Sequence, residues 1–306
     1  MFAAFSFVVM MFNLPLPGGT TGHALGVTIA AIVLGPSGAI LAISIAIAIQ
    51  ALFFGDGGIT TLGANCFNMA IVGSLVAYAS YRLIAAGAAL SSRRRVVAAA
   101  IAGYLAINAS ALIAAIEFGI QPILFHDAGG TPLYAPYRLS VAIPAMMIGH
   151  LTFAGLAEAV ISGGLLAYLQ IADPGLLRAT SGVAADAPEQ QAALSLRRLW
   201  IMTALVMLLT PLGILAAGTA WGEWSPAKLA HAASQQPSAD SLPASVPTGL
   251  QRLSSFWTAP FPAYAPSFVR SRGFGYLLSA MFGVGIVIAL SVALHSLFVG
   301  RKESSA

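Results

Sequence analysis

The chain has 306 residues, of which 58% are hydrophobic and only 8% are charged, with 14 basic and 10 acidic residues giving a net charge of +4. Soluble domains carry roughly 25% charged residues, and a soluble protein of this size needs them to cover its surface. The composition therefore excludes a soluble enzyme, a disordered regulator and a nucleic-acid-binding protein. The single cysteine, Cys66, excludes a disulfide framework and CxxC-type metal sites.

Apolar runs along the chain predict a polytopic helix bundle. A membrane helix needs about 20 apolar residues, and the first run, 2–14, is shorter than that. We expect this run to be the end of a span whose beginning is missing. The Gly35-Pro36 pair should divide the next run, 24–54, into a short helix and a full one. Further runs cover 66–89, 96–119, 139–169, 199–217 and 274–298.

These runs predict about six helices before residue 170 and two after it. The predicted fold class is all-α, because a helix satisfies within itself the backbone hydrogen bonds that lipid cannot supply. Arginines 93–95 predict a cytoplasmic loop. Counting outward from them places 13–23, 55–65 and 120–138 on the outer side. We predict a membrane module at 1–170, a cytoplasmic linker at 171–198, and a two-helix module at 199–306 with an extracytoplasmic loop at 218–273.

The outer loops hold the residues most suited to chemistry. His23 follows a glycine-rich segment and stands at the mouth of a short helix, where an imidazole can bind a metal. The alternative is a histidine that only caps backbone. The Gly-Asp-Gly-Gly segment at 55–58 has the simpler interpretation of a tight turn. The sequence contains no GxxxxGK[ST], HExxH or GxSxG motif, so we expect no enzyme activity.

Two ionisable residues lie within one predicted span. His150 and Glu158 are eight residues apart on the 139–169 helix. Ionisable groups inside a membrane are functional candidates, and this pair would support an intramembrane enzyme or channel. The alternative is that both satisfy polar neighbours in the bundle.

A series of motifs occurs in order over the first 170 residues. They are Pro15–His23 (PLPGGTTGH), Leu34-Gly35-Pro36, Gln50–Phe54, Asp56-Gly57-Gly58, Leu62–Asn65, Phe67-Asn68-Met69, Tyr134–Tyr137 and Ala142-Ile143-Pro144. In this combination the chain resembles the CbiM/NikM family, the substrate-binding membrane subunits of energy-coupling factor (ECF) transporters for cobalt and nickel. Through Gly218–Trp224 and Pro247–Leu250 the tail resembles the companion subunit of the CbiN/NikN or PDGLE type, although Pro-Thr-Gly-Leu departs from that motif.

The resemblance implies a site for Ni(II) or Co(II) near the outer surface. In the family the ligands are the N-terminal amine, the backbone nitrogen and imidazole of a histidine at position two, and the histidine of the Gly-His motif. Only the last has a counterpart, His23, because this chain begins Met1-Phe2; we therefore expect a truncated N-terminus. We expect Asn65 to orient a ligand imidazole by a hydrogen bond, and Asn68 to pack.

The resemblance further implies that the chain captures metal for an ATP-driven uptake transporter in the cell (inner) membrane. Ni(II) or Co(II) would be the transported substrate, with no permanently bound cofactor. The partners would be a membrane coupling subunit and cytoplasmic ATPase subunits, besides the lipid bilayer; no nucleic acid is expected. Gly38, Ala42 and Ala46 form a small-residue face suited to such a partner. The alternatives are a metal-free membrane scaffold, or the enzyme or channel using His150 and Glu158.

Overall fold

The computed structural model describes residues 1–16, 20–178, 190–215, 247–253 and 256–303. Within these residues five helices are long and apolar enough to cross a membrane: Val27–Phe54, Leu62–Ile84, Arg93–Leu124, Leu139–Ala172 and Arg272–Leu294. A shorter apolar helix covers Leu199–Ile214. The predicted all-α, multi-pass fold is confirmed. The Gly218–Trp224 motif, residues 179–189 of the predicted linker and much of the 218–273 loop lie outside the described residues.

The elements follow one another in a simple order. A short helix α1 (Phe2–Met10) precedes a two-stranded antiparallel hairpin of β1 (Leu14–Leu16) and β2 (Thr20–Gly22). The helices that follow are α2 (Val27–Ile49), α3 (Leu62–Asn65), α4 (Gly73–Ile84), α5 (Arg93–Leu124), α6 (Leu139–Gly149), α7 (Gly155–Ala172) and α8 (Pro174–Arg178). The last three helices among the described residues are α9 (Gln190–Leu209), α10 (Thr248–Leu253) and α11 (Arg272–Glu303).

Helix α2 is interrupted where the sequence predicts a break. Gly35 leaves the helical conformation with φ 77° and ψ 170°, and Pro36 follows it. Proline cannot donate the helical hydrogen bond and its ring clashes with the preceding turn, while glycine adopts a positive φ without a steric penalty. The prediction of a short helical segment followed by a full one is confirmed.

Where the structure describes the chain, three spans contain π-helical turns, which are rare and often found at functional sites. They cover Gln50–Phe54 after α2, Cys66–Val72 between α3 and α4, and His150–Ala154 between α6 and α7. Each turn adds a residue to the helical repeat and so changes the direction of the side chains around it. The second and third border the cavity described below, through Asn68 and Met69 and through His150.

Helix α5 is the centre of the first module and contacts α4, α6 and α7. Small residues allow this close packing: a side chain at Gly103 would come within 2.7 Å of Ser162 Oγ on α7. Small residues on α2 serve the same purpose, since Ala42 and Ala46 are buried inside the chain. The expectation that Ala42 and Ala46 face a partner subunit is therefore wrong, while for Gly38, which is half-buried, it stays a prediction.

The short helix α1 lies at the junction of the two parts of the chain. All nine of its residues are buried, and it contacts α2, α9 and α11. Phe7 packs against Gly283 of α11, where a side chain would collide with its ring. The second part of the chain thus packs directly on the first. The loop before α11 also reaches the end of the first long span, where the backbone N–H of Phe261 donates a hydrogen bond to Phe53 O (2.9 Å).

Candidate metal site

A cavity of about 140 Å³ lies among α5, α6 and the loops that flank α2. We call it the central cavity. Its lining is mixed: an apolar wall from α5 faces imidazole, carboxylate, amide and hydroxyl groups supplied by three other segments. The groups with metal-binding or hydrogen-bonding capacity include His23, Asp56, Asn65, Asn68, Met146 and His150.

His23 is placed in the central cavity by the hairpin that precedes it. The pairing of Leu14 with Gly22 ends β2 one residue before His23, and the imidazole is half-buried. Its Nδ1 lies 3.3 Å from the carbonyl oxygen of Ala24. Because a carbonyl only accepts, this contact places a proton on Nδ1, and in the neutral imidazole it leaves Nε2 with the lone pair that a metal requires. The geometry is compatible with the predicted ligand role, which stays a prediction.

Glu158 fixes the backbone that carries His23. Its Oε2 accepts hydrogen bonds from the backbone N–H groups of Leu25 (2.7 Å) and Gly26 (3.1 Å), and Oε1 accepts one from Ser162 Oγ (3.2 Å). The side chain is fully buried, and it lies at the start of α2, where unpaired N–H groups and the helix dipole favour a carboxylate. Glu158 therefore ties α7 to the turn just after His23, in agreement with the structural alternative weighed for it.

His150 lines the same cavity as His23, which the sequence did not indicate. It is 7% exposed, and its Nδ1 lies 2.8 Å from Met146 O. Glu158, with which the sequence grouped it, is not among the residues that line the cavity. His150 and Glu158 therefore do not act as the pair that the sequence suggested. The feature of the sequence that could have indicated His150 is an imidazole inside an apolar span.

A glycine-rich loop closes one side of the cavity. Asn65 Nδ2 donates to Gly57 O (3.0 Å) and lies 3.5 Å from Thr61 Oγ1. Gly57 has φ +75°, and a side chain there would come within 2.9 Å of Asn65 Nδ2. The amide group thus holds the loop in shape. The expected role of Asn65 in orienting an imidazole stays a prediction.

Two further contacts were not foreseen from the sequence. Asn68 was expected only to pack, but its Nδ2 donates to Glu117 Oε2 at 2.6 Å. Asp56 Oδ2 accepts hydrogen bonds from Gln50 Nε2 (3.4 Å) and from the hydroxyl of Tyr264, which belongs to the second part of the chain. Finding either contact requires the tertiary structure.

The central cavity is not a closed metal centre. Over the described residues, no group of three or more His, Cys, Asp and Glu side chains converges as a metal cage would require. Another histidine, His126, lies exposed on the loop after α5, with Nδ1 3.0 Å from Asp127 O, and does not line the cavity. Two imidazoles in an open cavity suit a transported ion better than a structural one, because structural sites fill all four positions with protein ligands.

Known proteins resemble the chain over most of its length. The fused nickel transport protein NikMN of Rhodobacter capsulatus is 53% identical, over 96% of this chain and 85% of its own. The probable fused nickel transport protein LarMN of Lactiplantibacillus plantarum is 41% identical, over 94% and 81%. A crystal structure of a transition metal transporter is 56% identical over 55% of this chain and 73% of its own, with a TM-score of 0.52.

Two family descriptions divide the sequence between them. Residues 197–300 match the PDGLE domain, which agrees with the resemblance of the tail to a companion module. Residues 1–176 match the CbiM description, a cobalt uptake substrate-specific transmembrane region. With its membrane spans and these matches, the chain is a multi-pass membrane protein of metal transport and belongs to the CbiM family.

Proposed function

We propose that this chain captures Ni(II) or Co(II) for an ATP-driven uptake transporter of the ECF type. The observation that carries the proposal is the position of His23, whose imidazole borders the central cavity with Nδ1 turned to the backbone carbonyl of Ala24. Imidazole nitrogens suit Ni(II), which favours square-planar nitrogen coordination. The nickel transport relatives support the same class of substrate.

The energy for uptake comes from other subunits. The sequence has no phosphate-binding loop of the GxxxxGK[ST] type, so ATP hydrolysis falls to separate ATPase subunits and its coupling to a membrane partner. The apolar residues exposed on the described spans, such as Phe153, Val160 and Ile171, face lipid or that partner.

The predicted division into a module at 1–170, a linker at 171–198 and a module at 199–306 forms part of the proposal. It is supported by the two family matches, 1–176 and 197–300. The second module contacts the loop beside the cavity through Tyr264 and Asp56, so we assign it a role in metal loading. An outer position for both follows from the arginine-based orientation.

The test is nickel uptake by cells that lack other nickel importers. We expect uptake when the chain is expressed with its ATPase and coupling subunits, and loss of uptake in His23→Ala. His126→Ala is the matched control, because it removes an exposed imidazole outside the cavity. Uphill uptake or ATP hydrolysis by the chain alone would contradict the partner assignment. Full uptake by His23→Ala would support the metal-free scaffold instead.

A further inference from the structure

We propose that residues 256–272, which we call the aromatic segment, form a binding surface for anionic phospholipid at the membrane boundary, with aromatic rings in the lipid and arginines on the phosphate groups. The inference concerns lipid rather than metal and does not depend on the proposed function. Tyr264 belongs to this segment and contacts Asp56 beside the central cavity. Bound lipid would therefore anchor the part of the second half of the chain that reaches the cavity.

Two hydrogen bonds place the aromatic segment at the level where a membrane span ends. The indole Nε1 of Trp257 donates to Leu52 O (3.0 Å), and the backbone N–H of Phe261 donates to Phe53 O (2.9 Å). Both acceptors belong to the last turn of the first long span. The segment then leads directly into α11, which is another of the spans. The segment therefore lies at the boundary between lipid and water, which the arginine-based orientation makes the outer one.

The aromatic side chains at this boundary are exposed instead of packed in the core. Phe268 is 71% exposed, Phe256 70% and Trp257 46%. A group of large apolar side chains on a surface marks a contact with a membrane or another protein. Trp257 suits a membrane interface, because its one polar side-chain atom is hydrogen-bonded to Leu52 O while much of its ring remains exposed.

The contacts of Phe268 favour lipid over a protein as the occupant. Phe268 packs edge-on against Phe261 with centroids 6.3 Å apart, and Phe261 packs edge-on against Phe282 of α11 at 5.0 Å. Phe282 is itself exposed, and so is Phe274 nearer the start of the same helix. The exposed surface of the segment is therefore continuous with the apolar surface of a membrane span, which lipid covers.

The charge of this region matches an anionic headgroup. Residues 247–272 contain three arginines, Arg252, Arg270 and Arg272, and no Asp or Glu. Arg270 and Arg272 are exposed, and a guanidinium can bind a phosphate through two parallel hydrogen bonds. Arg272 precedes Phe282 by ten residues of helix, or roughly 15 Å at 1.5 Å per residue. This spacing puts the rings in the acyl region when the arginines lie at the phosphates.

The depth of Trp257 in the bilayer tests the placement of the rings. A variant with this tryptophan alone (Trp200→Phe, Trp221→Phe and Trp224→Phe) is reconstituted in nanodiscs of phosphatidylcholine brominated either near the headgroup or near the chain end. We expect stronger quenching of its fluorescence by the shallow bromine than by the deep one, and protection from acrylamide in the water. Full access to acrylamide without quenching by brominated lipid would overturn the proposal. Protection that requires added coupling and ATPase subunits would show a protein contact and overturn it too.

Phosphatidylglycerol binding tests the role of the arginines. The same single-tryptophan chain in detergent is titrated with short-chain phosphatidylglycerol or phosphatidylcholine, and Trp257 fluorescence is followed. Arg270→Gln and Arg272→Gln should each weaken phosphatidylglycerol binding about fivefold. Arg93→Gln, at the opposite end of the spans, should leave this signal unchanged. Equal affinity for the two lipids, or unchanged phosphatidylglycerol affinity in both variants at wild-type unfolding temperature, would overturn the proposal.

Discussion

The hydroxyl of Tyr264 donates a hydrogen bond to the carboxylate of Asp56, across the junction between the two parts of the chain. Gln50 Nε2 contacts both groups, at 2.9 Å from the Tyr264 oxygen and 3.4 Å from the Asp56 oxygen. The ring of Tyr264 also stacks on Phe54 with centroids 4.7 Å apart. Because Asp56 lines the central cavity, the second part of the chain supports the loop beside that cavity.

Replacing Tyr264 with phenylalanine should therefore slow metal loading. The variant keeps the ring stacking but removes the donor to Asp56, at a cost of about 1 kcal/mol in the free energy of unfolding. Tyr276→Phe is the control, since it also removes a hydrogen bond between the two parts of the chain, to Met11 O (2.7 Å), but leaves the donor to Asp56 in place. We expect similar unfolding temperatures for both variants but slower nickel uptake only for Tyr264→Phe. Equal uptake rates would show that the contact is structural.

The same contact gives a pH dependence. Burial, and then the charge of Asp56, raise the pKa of Tyr264 well above its usual value of 10. The unfolded chain therefore ionises first, so this contribution to stability is constant below about pH 10 and is lost as the pH rises further. Unfolding temperatures measured from about pH 8 to about pH 11 should fall more steeply for the wild type than for Tyr264→Phe. Parallel curves would refute the assignment.

Glu158→Gln should weaken metal binding without touching the cavity. The amide presents one acceptor oxygen instead of two, so the N–H groups of Leu25 and Gly26 or the Ser162 hydroxyl lose a partner, at a cost of about 1–3 kcal/mol. Since these N–H groups fix the turn after His23, nickel affinity should fall along with stability. Ser162→Ala removes only the hydroxyl donor to Oε1 and should have the smaller effect on both calorimetric affinity and unfolding. The reverse order of effects would contradict this role.

Gly57→Ala should distort the loop beside the cavity. A side chain there meets Asn65 Nδ2 and sits on a backbone with φ +75°, a conformation that alanine adopts only with strain. Gly63→Ala is the matched control, because a side chain at Gly63 meets nothing within 4 Å. We expect lower nickel affinity by calorimetry in the first variant and wild-type affinity in the second. Normal affinity in Gly57→Ala would mean that the loop does not shape the site.

Much of the fold follows from the sequence because hydropathy and helix-breaking residues act locally. The apolar runs predicted the long membrane spans, and Gly35-Pro36 predicted the interruption of α2. The small-residue face of Ala42 and Ala46 was assigned to a partner, but such faces suit contacts within a chain equally well, and both residues are buried internally.

The site was predicted less completely, because it is assembled from distant segments. The Gly-His motif pointed to His23, which lies in the cavity. Its neighbour there, His150, is 127 positions later in the sequence (150 − 23), and no spacing rule links the two. The same holds for Tyr264 and Asp56, and for Glu158 and the turn at Leu25: each pairing depends on how helices pack, which periodicity does not encode.

The most direct measurement of the central claim is an anomalous diffraction map of the 306-residue chain crystallised with Ni(II). The account predicts a nickel peak in the central cavity within about 2.1 Å of His23 Nε2, the usual distance between a metal and an imidazole nitrogen. The peak should vanish in His23→Ala and persist in His126→Ala. A cavity without nickel, or a peak that survives the loss of His23, would contradict the proposal that this residue captures the metal.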